Sequence, residues 1–187
     1  MAFKIKSVAC SILLLRIFAL CTSVACLLVL VINSVTPKVL LDKYELNTRG
    51  SKLTFKYVTA YRYEFFTAFV GALYSLMQIP FATYHAYRAE RMINNRLQAE
   101  LDFYGDQVIT LVLATGVTAG FTYSIEFKYF INALYDNAGI EDENVLGSRS
   151  SYNTFLNGGL VATIPLFIGF IAMAILSVLS SLNRGKG

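Results

Sequence analysis

Two residues of opposite charge lie inside long apolar stretches of this chain. Their chemistry allows either a structural ion pair or a path for protons or ions. Arg16 lies within the apolar stretch 8–32, and Asp106 lies about one turn into the apolar stretch 103–127. A guanidinium and a carboxylate in apolar surroundings can pair through bidentate hydrogen bonds. They can also belong to a proton or ion path. Either role requires that the two stretches lie side by side.

The composition indicates that these stretches lie in a membrane. The chain has 187 residues, of which 56% are hydrophobic and 15% are charged. A soluble domain is about 45–50% apolar and about 25% charged. The net charge of +4 is small, and the basic residues are scattered along the chain. The sequence therefore predicts contact with membrane lipids and no nucleic-acid partner.

The apolar runs predict an all-α, integral membrane four-helix bundle, formed by a single membrane domain over residues 1–187. The predicted helices cover about 8–32, 64–86, 103–126 and 154–182. They leave two outer loops, 33–63 and 127–153, and a cytosolic loop, 87–102. The first outer loop ends in a stretch that alternates polar and apolar residues, which is compatible with a short strand or an interfacial segment. The second is acidic and turn-rich, and we expect it to be flexible.

An even number of crossings places both termini on the same side of the membrane. The positive-inside rule does not identify that side. The termini and the middle loop carry seven basic residues, and the other two loops carry eight.

We favour a structural pairing of Arg16 with Asp106 over a transport role. The first and third helices run in the same direction, so both charges enter from the same membrane face. Arg16 can bend its stem towards the surface to reach Asp106, which also lies near a helix N-terminus that favours an anion. A conduction path usually needs polar groups across the whole membrane. Further along the third helix, the polar side chains between residues 108 and 125 are hydroxyl groups, which include Thr110, Thr115, Thr118, Thr122 and Ser124.

The third helix also contains a GxxxG pattern formed by Gly116 and Gly120. Small residues four positions apart let helix backbones approach closely. The pattern predicts helix packing, either within one chain or between two chains.

No catalytic or metal-binding pattern is present in the sequence. The chain has three cysteines, all in the first apolar stretch, and one histidine, His85, at the end of the second. This predicts no metal, no cofactor and no enzymatic activity. The cysteines fit small apolar fillers, and Cys10, close to a membrane face, is also a candidate for palmitoylation.

Three stretches carry a resemblance to a known family. They are LLLRIFAL in the first helix, AYRYEFFTAFVGALYSLMQIPF in the second and FYGDQVITLVLATGVTAG in the third. Together they resemble the plant Casparian strip membrane protein-like (CASP-like) family, which is distantly related to MARVEL-domain proteins. That family's hallmark charges, an Arg in helix one and an Asp in helix three, fall on Arg16 and Asp106.

The resemblance implies a multi-pass plasma-membrane protein with cytosolic termini that forms homo-oligomers and hetero-oligomers with related members. The founding members are scaffolds that gather enzymes acting on the adjacent cell wall. The chain lacks the ESLPFFTQF-like signature of those founders and the Cys and Trp often seen in the second outer loop of relatives. The expected function is therefore a general, non-enzymatic membrane scaffold. The alternatives are a small channel or transporter subunit, or an auxiliary subunit of a larger membrane complex.

Overall fold

A computed structural model describes residues 2–35, 53–88, 95–138 and 143–184, and within these ranges the fold consists of four long helices. The helices are α1 (Ala2–Ile32), α2 (Thr59–Arg88), α3 (Asn95–Ala138) and α4 (Glu143–Arg184). Each contains a segment long and apolar enough to cross a membrane. The predicted all-α membrane class is confirmed. Residues 36–52, 89–94 and 139–142 lie outside the described part.

The four helices are arranged in a ring. Helix α1 packs against α2 and α4, and α3 packs against the same two neighbours. Helices α1 and α3 therefore stand on one diagonal of the bundle. The centre is filled by large buried side chains that include Tyr61, Leu113, Phe155 and Leu166. The outward positions carry apolar side chains, which suits contact with lipid.

The connection between α1 and α2 contains a short strand, one of the two forms that its alternating pattern allowed. Strand β1 (Ser34–Val35) pairs antiparallel with strand β2 (Leu53–Thr54), and a short 3-10 helix, Phe55–Tyr57, follows. Helix α2 begins soon afterwards at Thr59, five residues before the apolar run that predicted it. The Asn33 side chain donates a 2.9 Å hydrogen bond to the Phe155 carbonyl, which ties the end of α1 to α4.

The connection between α3 and α4 differs from the flexible outer loop expected over 127–153. Helix α3 continues to Ala138 and α4 begins at Glu143, so most of this segment is an extension of both helices. Polar residues join the two extensions. Arg149 donates to Asp136 at 2.9 Å and to Asn132 at 3.0 Å. The polar residues that suggested a loop are therefore the residues through which two helices pair beyond their apolar spans.

Candidate functional site

The structure brings Arg16 and Asp106 together across the bundle diagonal. Arg16 projects from α1 and Asp106 from α3, and their relative exposures are only 2% and 0%. The Arg16 Nη2 atom donates to Asp106 Oδ2 at 3.2 Å. Since α1 and α3 stand on one diagonal, this contact links helices that do not otherwise share an extensive interface.

The pairing is not the bidentate one that the sequence suggested. Only Nη2 reaches Asp106, and the Arg16 Nε and Nη1 atoms are buried without a hydrogen-bond partner among the described residues. A second carboxylate, Asp102, lies 3.7 Å from the same Nη2 atom. The guanidinium carbon lies 6.0 Å from the centre of the Tyr74 ring, within range of a cation–π contact.

Two hydroxyl groups also bind the carboxylate oxygens of Asp106. Tyr74 of α2 donates to Oδ1 at 2.7 Å, and Ser180 of α4 donates to Oδ2 at 2.7 Å. Gln78 in turn donates to the Tyr74 hydroxyl at 3.2 Å. All four helices therefore contribute one side chain to this centre, which we call the charged clasp: Arg16, Tyr74, Asp106 and Ser180.

The charged clasp is suited to holding helices together. Both carboxylate oxygens of Asp106 already accept hydrogen bonds, and hydrogen bonds to a charged group are among the stronger ones in proteins. Within the described residues, no group of three or more His, Cys, Asp or Glu side chains could hold a metal ion.

Removing one hydroxyl from the charged clasp should weaken the bundle measurably. We expect Ser180→Ala and Tyr74→Phe each to lower the free energy of unfolding by about 1.5–3 kcal/mol, the usual value of a hydrogen bond to a charged group. Denaturation of the purified protein in mixed micelles, followed by circular dichroism, measures the change. Tyr63→Phe is the matched control because the Tyr63 hydroxyl bonds Thr115 on the exposed surface. Equal midpoints for Tyr74→Phe and Tyr63→Phe would show that the clasp hydroxyls contribute nothing specific.

The two glycines of the GxxxG pattern face neighbouring helices of the same chain. A Cβ atom on Gly116 would collide with the Thr67 side chain of α2. A Cβ atom on Gly120 would lie 2.5 Å from Thr163 Oγ1 of α4 and 2.6 Å from Glu64 Oε2 of α2. A second chain could pack against these glycines only if the space beside them were empty. Side chains of the same bundle occupy that space at both positions.

The sequence reasoning missed three polar residues of the two polar centres: Glu64 and Ser180, which are buried, and Tyr74, which is half-buried. Tyr74 and Ser180 resemble many other hydroxyl residues in apolar runs, so no sequence signal distinguishes them. Glu64 did carry a signal, because it is a carboxylate followed within four positions by Phe65, Phe66 and Ala68 in a helix. It was counted as the boundary of the second apolar run, and the structure shows that it is completely buried.

The three cysteines are free thiols in different surroundings. Cys10 and Cys21 are exposed, whereas Cys26 is buried in the bundle. Palmitoylation of Cys10 stays a prediction, and its exposed position near one end of α1 is compatible with it. The side chain of His85 lies outside the described part of the structure.

The fold and the clasp define a class: a multi-span membrane protein whose four helices meet at a buried ion pair. Residues 6–134 match the Casparian strip membrane protein domain, and the chain belongs to that family.

The similar proteins are of plant origin. The chain is 35% identical over 182 residues to CASP-like protein 4D2 of Arabidopsis lyrata, covering 96% of this chain and 92% of the relative. It is 32% identical over 169 residues to CASP-like protein 4D1 of Ricinus communis, covering 90% and 88%. No solved structure matches the chain. The family predicted from the sequence motifs is confirmed.

Proposed function

We propose that this protein is a non-enzymatic plasma-membrane scaffold that self-associates laterally into oligomers. In this role it organises a membrane domain and recruits cell-wall-modifying proteins. The observation that supports the proposal most directly is the closed charged clasp. Its carboxylate is bound by donors from the three other helices, so its charge serves cohesion of the bundle.

The interior of the bundle favours a scaffold over a channel. Beyond the charged clasp, the core is filled by the buried apolar side chains of Ala19, Leu113, Leu166 and Met173. Outside the charged clasp, the buried polar residues of the described part are Ser23, Glu64, Thr67, Ser75, Ser124 and Thr163. The hydroxyl groups of Thr67 and Thr163 donate to backbone carbonyls and that of Ser124 pairs with Tyr61, so these bonds do not extend to the clasp. A conduction path through one chain would have to replace this packing.

The outer surface of the bundle suits lateral association in lipid. Large apolar side chains with more than half of their surface exposed project from several helices: Leu14, Phe66, Met77, Leu111 and Val178. In this proposal they contact membrane lipids, other copies of the chain or related family members. In this proposal the termini face the cytosol, and the helical extensions that form the connection between α3 and α4 face the cell wall.

The proposal predicts slow lateral diffusion. The full chain carrying a fluorescent tag, expressed in a plant plasma membrane, should recover after photobleaching several-fold more slowly than a tagged monomeric protein with the same number of spans. Purified in mild detergent, it should migrate as an oligomer whose protomers are all this chain. The matched monomeric protein supplies the diffusion rate expected from size alone.

Three results would contradict the scaffold. Recovery as fast as that of the monomeric control would rule out clustering. Ion flux into vesicles containing the purified protein, reduced by Asp106→Asn, would indicate a channel or transporter subunit. Co-purification in a fixed ratio with one large partner would indicate an auxiliary subunit.

A further inference from the structure

A second carboxyl group, that of Glu64, is buried in the bundle at a level well separated from the charged clasp. Its relative exposure is 0%, the same as that of Asp106. On α2 it lies ten residues from Tyr74, or about 15 Å along the helix. Unlike Asp106, it forms no ion pair with any residue that the structure describes. The same bundle therefore holds two equally buried carboxyl groups, and only one has a cation beside it.

All four helices meet around the Glu64 side chain. Cys26 of α1 lies with its sulfur 3.8 Å from Oε1, where a thiol is a weak donor. The other carboxyl oxygen, Oε2, lies beside Gly120 of α3 and Thr163 of α4. A Cβ atom built on Gly120 would lie within 2.6 Å of both Oε2 and Thr163 Oγ1. Oε2 is buried and has no hydrogen-bond partner among the described residues.

The hydroxyl groups around Glu64 already have acceptors for their protons. Thr163 donates to the Gly159 carbonyl at 2.9 Å, and Thr67 donates to the backbone carbonyl of Glu64 at 2.8 Å. Thr163 therefore presents lone pairs towards Oε2. An ionised carboxylate would also present lone pairs there, which leaves two acceptors facing one another.

The other titratable groups near this centre are neutral side chains. On α1 the titratable group beside Glu64 is the Cys26 thiol. On α2 the Tyr61 hydroxyl is paired with Ser124 of α3 at 2.8 Å, and the Tyr61 ring packs edge-on against Tyr123. None of these groups supplies a positive charge. An ionised carboxylate buried without a counter-charge is strongly unfavourable, and such a group normally becomes neutral instead.

We propose that Glu64 is a proton-binding site. Its carboxyl group carries a hydrogen on Oε2 and donates it to Thr163 Oγ1, which joins α2 to α4 through a neutral hydrogen bond. The proton turns the unsatisfied acceptor into a donor that faces an available acceptor, and it removes the buried charge in the same step. The bundle thus has one carboxyl group that faces a guanidinium in the charged clasp and a protonated one at Glu64.

A proton fits this centre better than a metal cation does. Hard cations such as Ca²⁺ and Mg²⁺ take six or more oxygen ligands. Among the described residues, no group of three or more His, Cys, Asp or Glu side chains could hold a metal ion, so Glu64 has no second carboxyl group to share one. A single proton needs one acceptor, and Thr163 provides it.

Infrared spectroscopy of the full chain in dodecylmaltoside micelles, whose detergent has no carbonyl group, tests the proposal directly. At about pH 7 an exposed glutamate is ionised, so a carbonyl band from a protonated carboxyl group reports a buried acid. We expect this band in the wild type, with a shift in D₂O, and its loss in Glu64→Gln, whose amide can still donate to Thr163. Absence of the band in the wild type, or its persistence in folded Glu64→Gln, would overturn the proposal.

A hydrophobic carbodiimide assigns the band without any substitution. The carboxyl proton moves to a carbodiimide nitrogen while the carboxyl oxygen bonds to the central carbon. The O-acylisourea then rearranges to a stable N-acylurea, with no atom lost. Peptide mass spectrometry of the wild type treated with dicyclohexylcarbodiimide should place the adduct on Glu64, with Asp106 as the equally buried, ion-paired control. An adduct on Asp106 with none on Glu64 would overturn the assignment.

Discussion

Asp106→Asn should largely abolish accumulation of folded protein. The substitution keeps the shape of the side chain but leaves the Arg16 guanidinium buried beside Asp102 alone, at 3.7 Å. An arginine cannot escape this cost by losing its proton. Removing one partner of a buried ion pair costs about 3–5 kcal/mol, a large part of the stability of most proteins. Size-exclusion chromatography of the tagged chain, read by fluorescence, measures the folded fraction.

The control for Asp106→Asn makes the same chemical change on the same helix. Glu126 lies on α3 with an exposed side chain, so Glu126→Gln should leave the folded fraction unchanged. The double variant Arg16→Met with Asp106→Asn removes both buried charges, and we expect it to be more stable than Asp106→Asn alone. If Asp106→Asn and Arg16→Leu both fold and traffic normally, the two charges do not hold the bundle together.

Gly120→Leu should be the most disruptive substitution at a small residue. Even a single added carbon at this position would lie 2.5 Å from Thr163 Oγ1 and 2.6 Å from Glu64 Oε2. A leucine must therefore push α4 and α2 apart and separate two buried polar groups. Overpacking a core typically costs 1–3 kcal/mol, and we expect about 3 kcal/mol or more here because polar contacts are displaced as well. Denaturation in mixed micelles measures the loss.

Thr118→Leu is the matched control for Gly120→Leu. Thr118 lies two residues away on α3 with its side chain exposed, so a leucine there should be tolerated. Gly116→Leu should resemble Gly120→Leu, since Gly116 packs against Thr67. A Gly120→Leu protein that folds like the wild type but no longer forms oligomers would show instead that this glycine serves contact between chains.

The connection between α3 and α4 shows where sequence patterns mislead in a membrane protein. Charged and turn-forming residues after position 127 predict a loop, because such residues do not remain in the apolar core of a bilayer. The structure keeps them helical up to Ala138 and again from Glu143. Beyond the membrane, polar residues are compatible with a helix whenever a second helix is beside it, and Arg149 with Asp136 provides that pairing.

The sequence by itself determined the number of spans and the family of this protein. Both depend on local features: the length and apolar character of each run, and short motifs around Arg16 and Asp106. These features decide whether a segment enters a bilayer, and they act before any helix meets another.

Only the tertiary structure decided which groups share the interior. Arg16 and Asp106 lie 90 residues apart, and Ser180 lies 74 residues beyond Asp106. Their contacts depend on how each helix is rotated about its axis and which neighbours it packs against. That rotation is why one buried carboxyl group, at Asp106, faces a guanidinium, whereas another, at Glu64, faces a hydroxyl group and a thiol.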